Sequence, residues 1–302
     1  MTQSMPTPAI EAVEAVVLKV TGRQPTDVHS LRHHEDYWII GVAAPSVGPL
    51  IIKLTSSVEV PSFESAKAKH DLIRRAAQVP MAEMIAADDS ASDIPFRFSL
   101  QTRLQGEEWF TRRKRLDEAE FAEAIANLGE VIGRLHLPPL PGFGPLPEPP
   151  PGNCLPALIQ HSRTIIRNFR LKQRFTDLLE KNADLWSVAI PPAITHDDLH
   201  GFNVLFDPAR STKVSGLLDF DKAWSGPAES DIARMEMWYG MTGPSFLATY
   251  RERIPKLPGY EERRPFYQML WCLEYAQETT EHLQITNALC RRLDLPPLQS
   301  FN

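Results

Sequence analysis

Cysteine is scarce in this chain of 302 residues. Cys154, Cys272 and Cys290 lie far apart and form no C-x-x-C pair, so neither a disulfide framework nor a zinc ribbon is expected, and a reducing compartment is the simplest home. Long apolar runs are missing too, so no segment reads as a bilayer span and no membrane partner is expected. The stretch Met1 to Glu14 lacks a basic region and carries Glu11 and Glu14 where a secretory signal would be apolar. A soluble, cytoplasmic protein follows as the expectation. Positive charge is not in excess: 32 Lys and Arg against 38 Asp and Glu leave a net charge of −6. That argues against a nucleic-acid partner. Internal repeats are absent, and the composition is ordinary for a globular protein.

The pattern along the chain changes character once. Ile10, Val13, Val16, Val17 and Val20 fall at helical spacing, with Gly22 as a stop. Tyr37 to Val42 and Leu50 to Leu54 read as two strands of a hairpin around Pro45 to Pro49. A helix opens at Pro61-Ser62 and runs to about Ala77, and strands follow near Ala82 to Ala87 and Phe96 to Thr102. Beyond Gly106 helices dominate: about Asp117 to His136, Leu155 to Asn168, Leu171 to Ser187, Ala228 to Tyr239, Pro244 to Arg253 and Arg263 to Leu293. Between the first two lies Leu137 to Pro156 with nine prolines, which reads as a stiff surface excursion. Short strands are expected near Val204 to Phe206 and Val214 to Leu218. The fold class is α+β, an N-terminal antiparallel sheet with one helix and then a mainly helical part. The boundary near Gly106 separates residues 1–105 from 106–302.

Chemistry concentrates in His196-Asp197-Asp198-Leu199-His200-Gly201-Phe202-Asn203 and Leu217-Leu218-Asp219-Phe220-Asp221. The first segment matches the catalytic-loop pattern H-x-D-L-x-x-x-N, and the second is akin to D-F-G. Phosphoryl transfer needs a carboxylate to orient the attacking hydroxyl and hard oxygen ligands for Mg²⁺ on the phosphates. Asp198, Asn203 and Asp219 are those residue types. A lone Asp more often caps a turn; the set at this spacing favours a small-molecule kinase. Lys53 sits in an apolar strand, where an ammonium is costly unless paired. It reads as a phosphate-contacting lysine with Glu64 as its ion partner, against the plainer alternatives of an edge lysine reaching water and a helix-dipole glutamate.

With Ile51 to Leu54, Phe98 to Gly106, Leu128 to His136 with Pro141 to Leu146, and Thr195 to Ala233, the chain resembles the aminoglycoside phosphotransferase/choline kinase family of small-molecule kinases. The resemblance implies a protein-kinase-like two-lobed fold, with 1–105 as the nucleotide-binding lobe and 106–302 as the catalytic and acceptor-binding lobe. It implies ATP and Mg²⁺ as cofactors. Asp198 becomes the catalytic or orienting carboxylate, Asn203 and Asp219 the Mg²⁺ ligands, and Gln101, Thr102 and Leu104 the hinge that meets adenine. His196 and Asp231 become supports. The implied partner is a small-molecule hydroxyl acceptor, either an antibiotic of aminoglycoside or macrolide type or a metabolite alcohol.

Three departures keep other readings open. Asp197 stands where the family has glycine, adding a like charge that would raise a pKa or offer a further metal contact. The segment Leu31 to Tyr37, read as the loop over the nucleotide, contains no glycine. No A-P-E segment is visible, which counts against a protein substrate. A nucleotide-binding pseudokinase is one alternative. Another is a metal phosphohydrolase built on His196, Asp197, His200 and Asp221 with His70, His136 and His161. For the acceptor, Trp271, Glu274, Glu278 and Glu281 fall on one face of the last expected helix, although such an acidic stripe is more often a solvated face. Glu107, Glu108 and Trp109 form a second candidate group, and Trp238 and Tyr239 read as core.

Overall fold

The computed structural model describes residues 7–34, 36–57 and 60–301. Contacts divide the chain into two compact units, Met1–Gly106 with Ser215–Asp221, and Glu107–Val214 with Lys222–Asn302.

In the first unit the helix α1 (Ile10–Thr21) precedes three strands, β1 (Asp27–His34), β2 (Tyr37–Ala44) and β3 (Gly48–Thr55). Then come α2 (Phe63–Ala77), β4 (Met84–Asp88) and β5 (Arg97–Thr102). The sheet runs in the order β1-β2-β3-β5-β4, and its pairings are antiparallel. Strand alternation sorts β3 by face: Leu50, Ile52 and Leu54 are fully buried in the core with Val13 and Val17 of α1, while Ile51 and Lys53 point to the other side. On α2 the inward stripe is Phe63, Ala66, His70, Ile73 and Ala77. Its start is capped twice, by Ser62 accepting from the Ser65 N–H and by Asp89 accepting from the N–H groups of Phe63 and Glu64.

The second unit opens with β6 (Glu107–Glu108) and the short α3 (Trp109–Arg112). The long α4 (Glu118–His136), β7 (Gly144–Pro145), α5 (Cys154–Ile165), α6 (Phe169–Lys181), β8 (Pro192–Thr195) and β9 (Val204–Phe206) follow. Past β10 (Val214–Leu217), which from Ser215 on belongs to the first unit, come β11 (Trp224–Pro227), α7 (Ala228–Met235), α8 (Pro244–Arg251), α9 (Tyr260–Tyr275) and α10 (Thr280–Arg292). Asp117 and Glu120 close a capping box on α4. Gly129 lets α4 cross α8, since a Cβ there would sit 2.4 Å from the Phe246 carbonyl oxygen. Helix α7 is pinned to α9 by Glu229, whose carboxylate accepts from Arg263 Nε at 2.5 Å, Arg263 Nη2 at 2.9 Å and the Tyr267 hydroxyl at 2.8 Å. The charges are buried, and this bidentate pairing offsets their desolvation.

Four expectations are corrected. Leu31 to His34 are not a loop: they end β1, and His34 pairs with Tyr37 across the turn; Glu35 lies outside the described residues. The proline-rich stretch is not merely a surface excursion, because Phe143 and Leu146 are buried and Gly144–Pro145 pairs with β11 as an edge strand, a place that tolerates proline. The last helix is two helices. α9 ends where Ala276 turns left-handed at φ 43°, and Thr279 caps α10 by accepting from the His282 N–H. Tyr239 is not core but 84% exposed.

Candidate active site

The loop after β8 is organised around one buried carboxylate. Asp231, 1% exposed on α7, accepts from the His196 N–H at 2.7 Å and the Asp197 N–H at 2.9 Å. His136 Nε2 lies 3.1 Å from the same carboxylate and Nδ1 lies 2.9 Å from the Tyr250 hydroxyl. Burial works to raise the Asp231 carboxyl, but the contacts with His136 and His196 together outweigh it and the group titrates below the usual carboxylate range. Asp197 adopts φ 62°, which explains why glycine suits this position: the left-handed region costs a side chain energy that Asp and Asn bear best. Its carboxylate is held by His161 Nε2 at 2.7 Å, and that imidazole stacks on Trp224 at 3.9 Å and 7°. Among the described residues, the contact that the Asp197 carboxylate makes is to this imidazole.

Asp198 lies in a cluster of four charges. Its N–H donates to His196 Nδ1. Its Oδ1 is 3.2 Å from Arg234 and 3.6 Å from Lys222. Glu274 on α9 holds both cations, Arg234 at 2.5 Å and Lys222 at 2.8 Å. Burial favours the neutral acid, yet Lys222 and Arg234 together hold the Asp198 carboxyl below its ordinary value. Asn203 donates its amide N–H to the Asp198 carbonyl oxygen at 3.0 Å and places the same nitrogen 3.2 Å from His200 Nε2. Burial makes His200 harder to protonate than a free histidine.

In the first unit, Lys53 meets Asp221 at 3.0 Å and Asp219 at 3.5 Å. Burial acts to lower the ammonium, but Asp221 and Asp219 raise it well above the ordinary lysine value. Asp221, which burial alone would raise, is driven far down by Lys53. Lys69 donates to the Asp221 carbonyl oxygen at 2.6 Å. The expected Lys53–Glu64 pair is corrected: Glu64 lies in the first turn of α2, off the inward stripe and exposed. Asp219 has φ 63°, so a carboxylate sits on strained backbone in this segment as well. At the end of β5 the Thr102 N–H donates to the Glu83 carbonyl and the Thr102 hydroxyl accepts from the Glu83 N–H. The Arg103 N–H donates to Pro49. Gln101 pairs with Ile51 in the sheet, and Leu104 lies just past these ties.

A cavity of about 410 Å³ opens in the second unit, lined among others by Phe110, Gly201, Trp238, Trp271, Tyr275 and Glu281. The acidic row expected beside it does not survive as a row. Glu274 is spent on Arg234 and Lys222, and Glu278 accepts from the Phe301 N–H; Glu281 alone of the three lines the cavity. Of the second candidate group, Glu107 pairs with Arg112 and Arg115. Trp109 is fully buried and donates its indole N–H to the Gly240 carbonyl.

Lys222 and Arg234 were not expected from the sequence, and His161 was expected only in the phosphohydrolase alternative. A signal existed for Arg234, three residues after Asp231 and so on the same face of α7. None existed for the contact of His161 with Asp197, since His161 comes from another helix. Among the described residues no three His, Cys, Asp or Glu side chains are grouped to hold a metal. His136 and His161, two of the histidines available to the phosphohydrolase alternative, each contact an aspartate.

Comparison with known proteins assigns the family and the fold. The model of the phosphotransferase enzyme family matches residues 30–266; the chain belongs to that family. Ketosamine-3-kinase of Mus musculus is 33% identical over 118 residues, covering 33% of this chain and 36% of that protein. A Lactiplantibacillus plantarum protein described as a probable ketoamine kinase is 28% identical over 170 residues, covering 49% and 58%. The chain thus spans little more than half the length, at most, of these curated relatives. In fold, a Thermobifida fusca YX-ER1 protein whose description as a fructosamine-3-kinase is itself inferred has a TM-score of 0.70 at 18% identity, covering 94% of this chain and 99% of that one. Aminoglycoside phosphotransferase APH(4)-Ia, solved with AMP-PNP and hygromycin B, has a TM-score of 0.64 at 16% identity, covering 94% and 97%. The kinase-like α+β fold is shared. No helix among the described residues is long and apolar enough to cross a membrane.

Proposed function

We propose that this chain is a kinase that transfers the γ-phosphoryl group of ATP to a hydroxyl of a small molecule. The observation that carries the reading is Asp198, a carboxylate kept anionic by Arg234 and Lys222 in a braced loop. Three residues on, Gly201 lines a ligand-sized cavity. The acceptor oxygen bonds to the γ-phosphorus, the bond from that phosphorus to the bridging oxygen breaks, and ADP leaves. Asp198 accepts a hydrogen bond from the hydroxyl and takes its proton. A carboxylate with a depressed pKa is a weak base, which suits a loose transfer in which the proton departs late. Orientation is its larger task.

Lys53 is assigned to the phosphates, Glu64 to the nucleotide's vicinity, and Gln101, Thr102 and Leu104 to adenine. The donor chemistry fits Mg²⁺: a carboxylate on Asp219 and an amide oxygen on Asn203 are the hard oxygens this cation takes. When bound, the ion neutralises phosphate charge. Names of the relatives support a ketosamine hydroxyl as acceptor, and the fold relatives include antibiotic phosphotransferases, which support an antibiotic as the second choice. The test is Asp198→Asn, assayed by ADP release with mass detection of the phosphorylated product. Turnover should fall by about 10²- to 10⁴-fold with Mg·ATP binding retained, and undiminished turnover refutes the role.

A further inference from the structure

Resting on that kinase reading and deepening it, we infer that the acceptor carries a flat apolar body and at most one positive charge, the body lying among Trp238, Trp271 and Tyr275. The cavity's volume, about 410 Å³, is in the range that takes a small ligand. Its rings form a continuous wall: Trp271 stacks on Tyr275 with centroids 5.6 Å apart and meets Trp238 edge-on at 6.0 Å. Trp238 is also 5.3 Å from the ring of His200, two residues from Asp198. The Arg234 guanidinium that holds Asp198 lies 6.0 Å from the Trp271 ring. The aromatic wall and the orienting carboxylate are therefore joined through one side chain inside one unit.

Exposure points the same way. Tyr239 is 84% exposed, Tyr275 50% and Ile285 39%, and all three line this cavity. Scattered apolar side chains need no partner, but a cluster around a concavity marks a surface that an apolar ligand covers.

The charge inventory excludes a polycation. The lining contains one acid, Glu281, and one strong base, Arg113. Arg113 already donates to the Tyr239 carbonyl and lies over the rings of Phe110 and Tyr239. His282 is buried, with Nε2 at 2.9 Å from the Cys272 carbonyl. Glu281 is thus the single carboxylate for a cationic acceptor, and a ring face is the other feature that welcomes one ammonium. A ligand with four or five amines would leave most of them unpaired against tryptophan and tyrosine.

Calorimetric titration of the full chain without nucleotide tests this with three probes: the fructose conjugate of benzylamine, the fructose conjugate of methylamine, and kanamycin. The benzyl conjugate should bind about tenfold more tightly than the methyl conjugate, and kanamycin most weakly. Tyr275→Ala, at a half-exposed site that a thermal melt will show to be folded, should cut the benzyl preference to about threefold or less; Ile285→Lys should weaken the benzyl conjugate more than the methyl one. Equal affinity for the two conjugates, tighter binding of kanamycin, or no saturable binding of the benzyl conjugate overturns the inference. Benzyl preference without phosphorylation when Mg·ATP is added sustains the inference and refutes the kinase reading. Phosphorylation of both conjugates without preference does the reverse.

Discussion

Two short segments, one in each unit, carry the aspartates assigned to the proposed reaction, and they are held in different ways. Thr195 to Asn203 is fixed by hydrogen bonds from its own backbone to Asp231, a carboxylate with almost no exposure that a second buried ring, His136, also contacts. In Leu217 to Asp221 the backbone is held at both ends, by the Leu217 N–H on the Pro80 carbonyl and by Lys69 on the Asp221 carbonyl, but the Asp221 carboxylate rests on an ion pair with Lys53, 168 residues away in sequence, in which Asp221 keeps 27% exposure. Backbone donors bound to a buried acceptor have no competing partner, so their geometry persists whatever binds nearby. An ion pair with one foot in water is different, because an anionic ligand can take the lysine from its carboxylate. The backbone of the first segment is preorganised, and the carboxylate pairing of the second is exchangeable. That suits the proposed reaction, in which a hydroxyl is aimed and a charged nucleotide comes and goes.

The harshest way to break this contrast is Asp231→Ala. It strands two backbone N–H groups and His136, and should cost about 3 to 5 kcal/mol of stability in denaturant unfolding. The pH dependence follows from the lowered Asp231 pKa. The carboxylate's stabilisation is fully present above its unfolded pKa of about 4 and is lost as pH falls through the lower folded value. The variant should therefore lose part of the acid slope of the native stability curve. A cost near zero would mean that Asp231 braces nothing.

How much of this was visible in the sequence depended on distance along the chain. The strands flanking Pro45 to Pro49 and helices α1, α2 and α4 announce themselves through local periodicity and caps. So do Asp198 and Asn203, because their spacing is the motif. What was hidden came from elsewhere in the fold. Lys53 was legible as a buried ammonium, but its partner Asp221 was not, since a nearby Glu64 satisfied the same reasoning. The break at Ala276 was hidden because alanine gives no stop signal; the left-handed turn there is imposed by packing rather than by propensity. Once the helix is divided, the apparent acidic face dissolves, and Glu274 turns from an acceptor contact into the support of Arg234 and Lys222.

Lys53→Met probes the exchangeable side. Stability should fall by only about 1 to 2 kcal/mol, because partly exposed Asp221 can turn to water. Mg·ATP affinity should fall about 10- to 100-fold, the cost of one charge-assisted contact to phosphate. Equilibrium dialysis with nucleotide and a denaturant melt separate the two effects. If stability suffers as much as in Asp231→Ala while affinity holds, Lys53 is a brace as well, and the contrast collapses.

The smallest effect is expected where both segments share a feature. Asp197 and Asp219 each occupy the left-handed region, at φ 62° and 63°. In the braced segment this strain is borne by hydrogen bonds, since the Asp197 N–H is held by Asp231 and its carboxylate by His161. Asp197→Gly removes the strain, worth about 1 kcal/mol, and with it the His161 pair, while adding glycine's entropy in the unfolded chain, about 0.5 to 1 kcal/mol. The terms nearly cancel, so stability should move by no more than about 1 kcal/mol and turnover by about threefold or less. His161→Ala alone should cost more than it does in the Asp197→Gly background, because the imidazole has lost its partner there. If instead Asp197→Gly lowers turnover a hundredfold or so with stability intact, the carboxylate acts on the reaction itself. The braced loop would then hold two working aspartates, Asp197 and Asp198, instead of one.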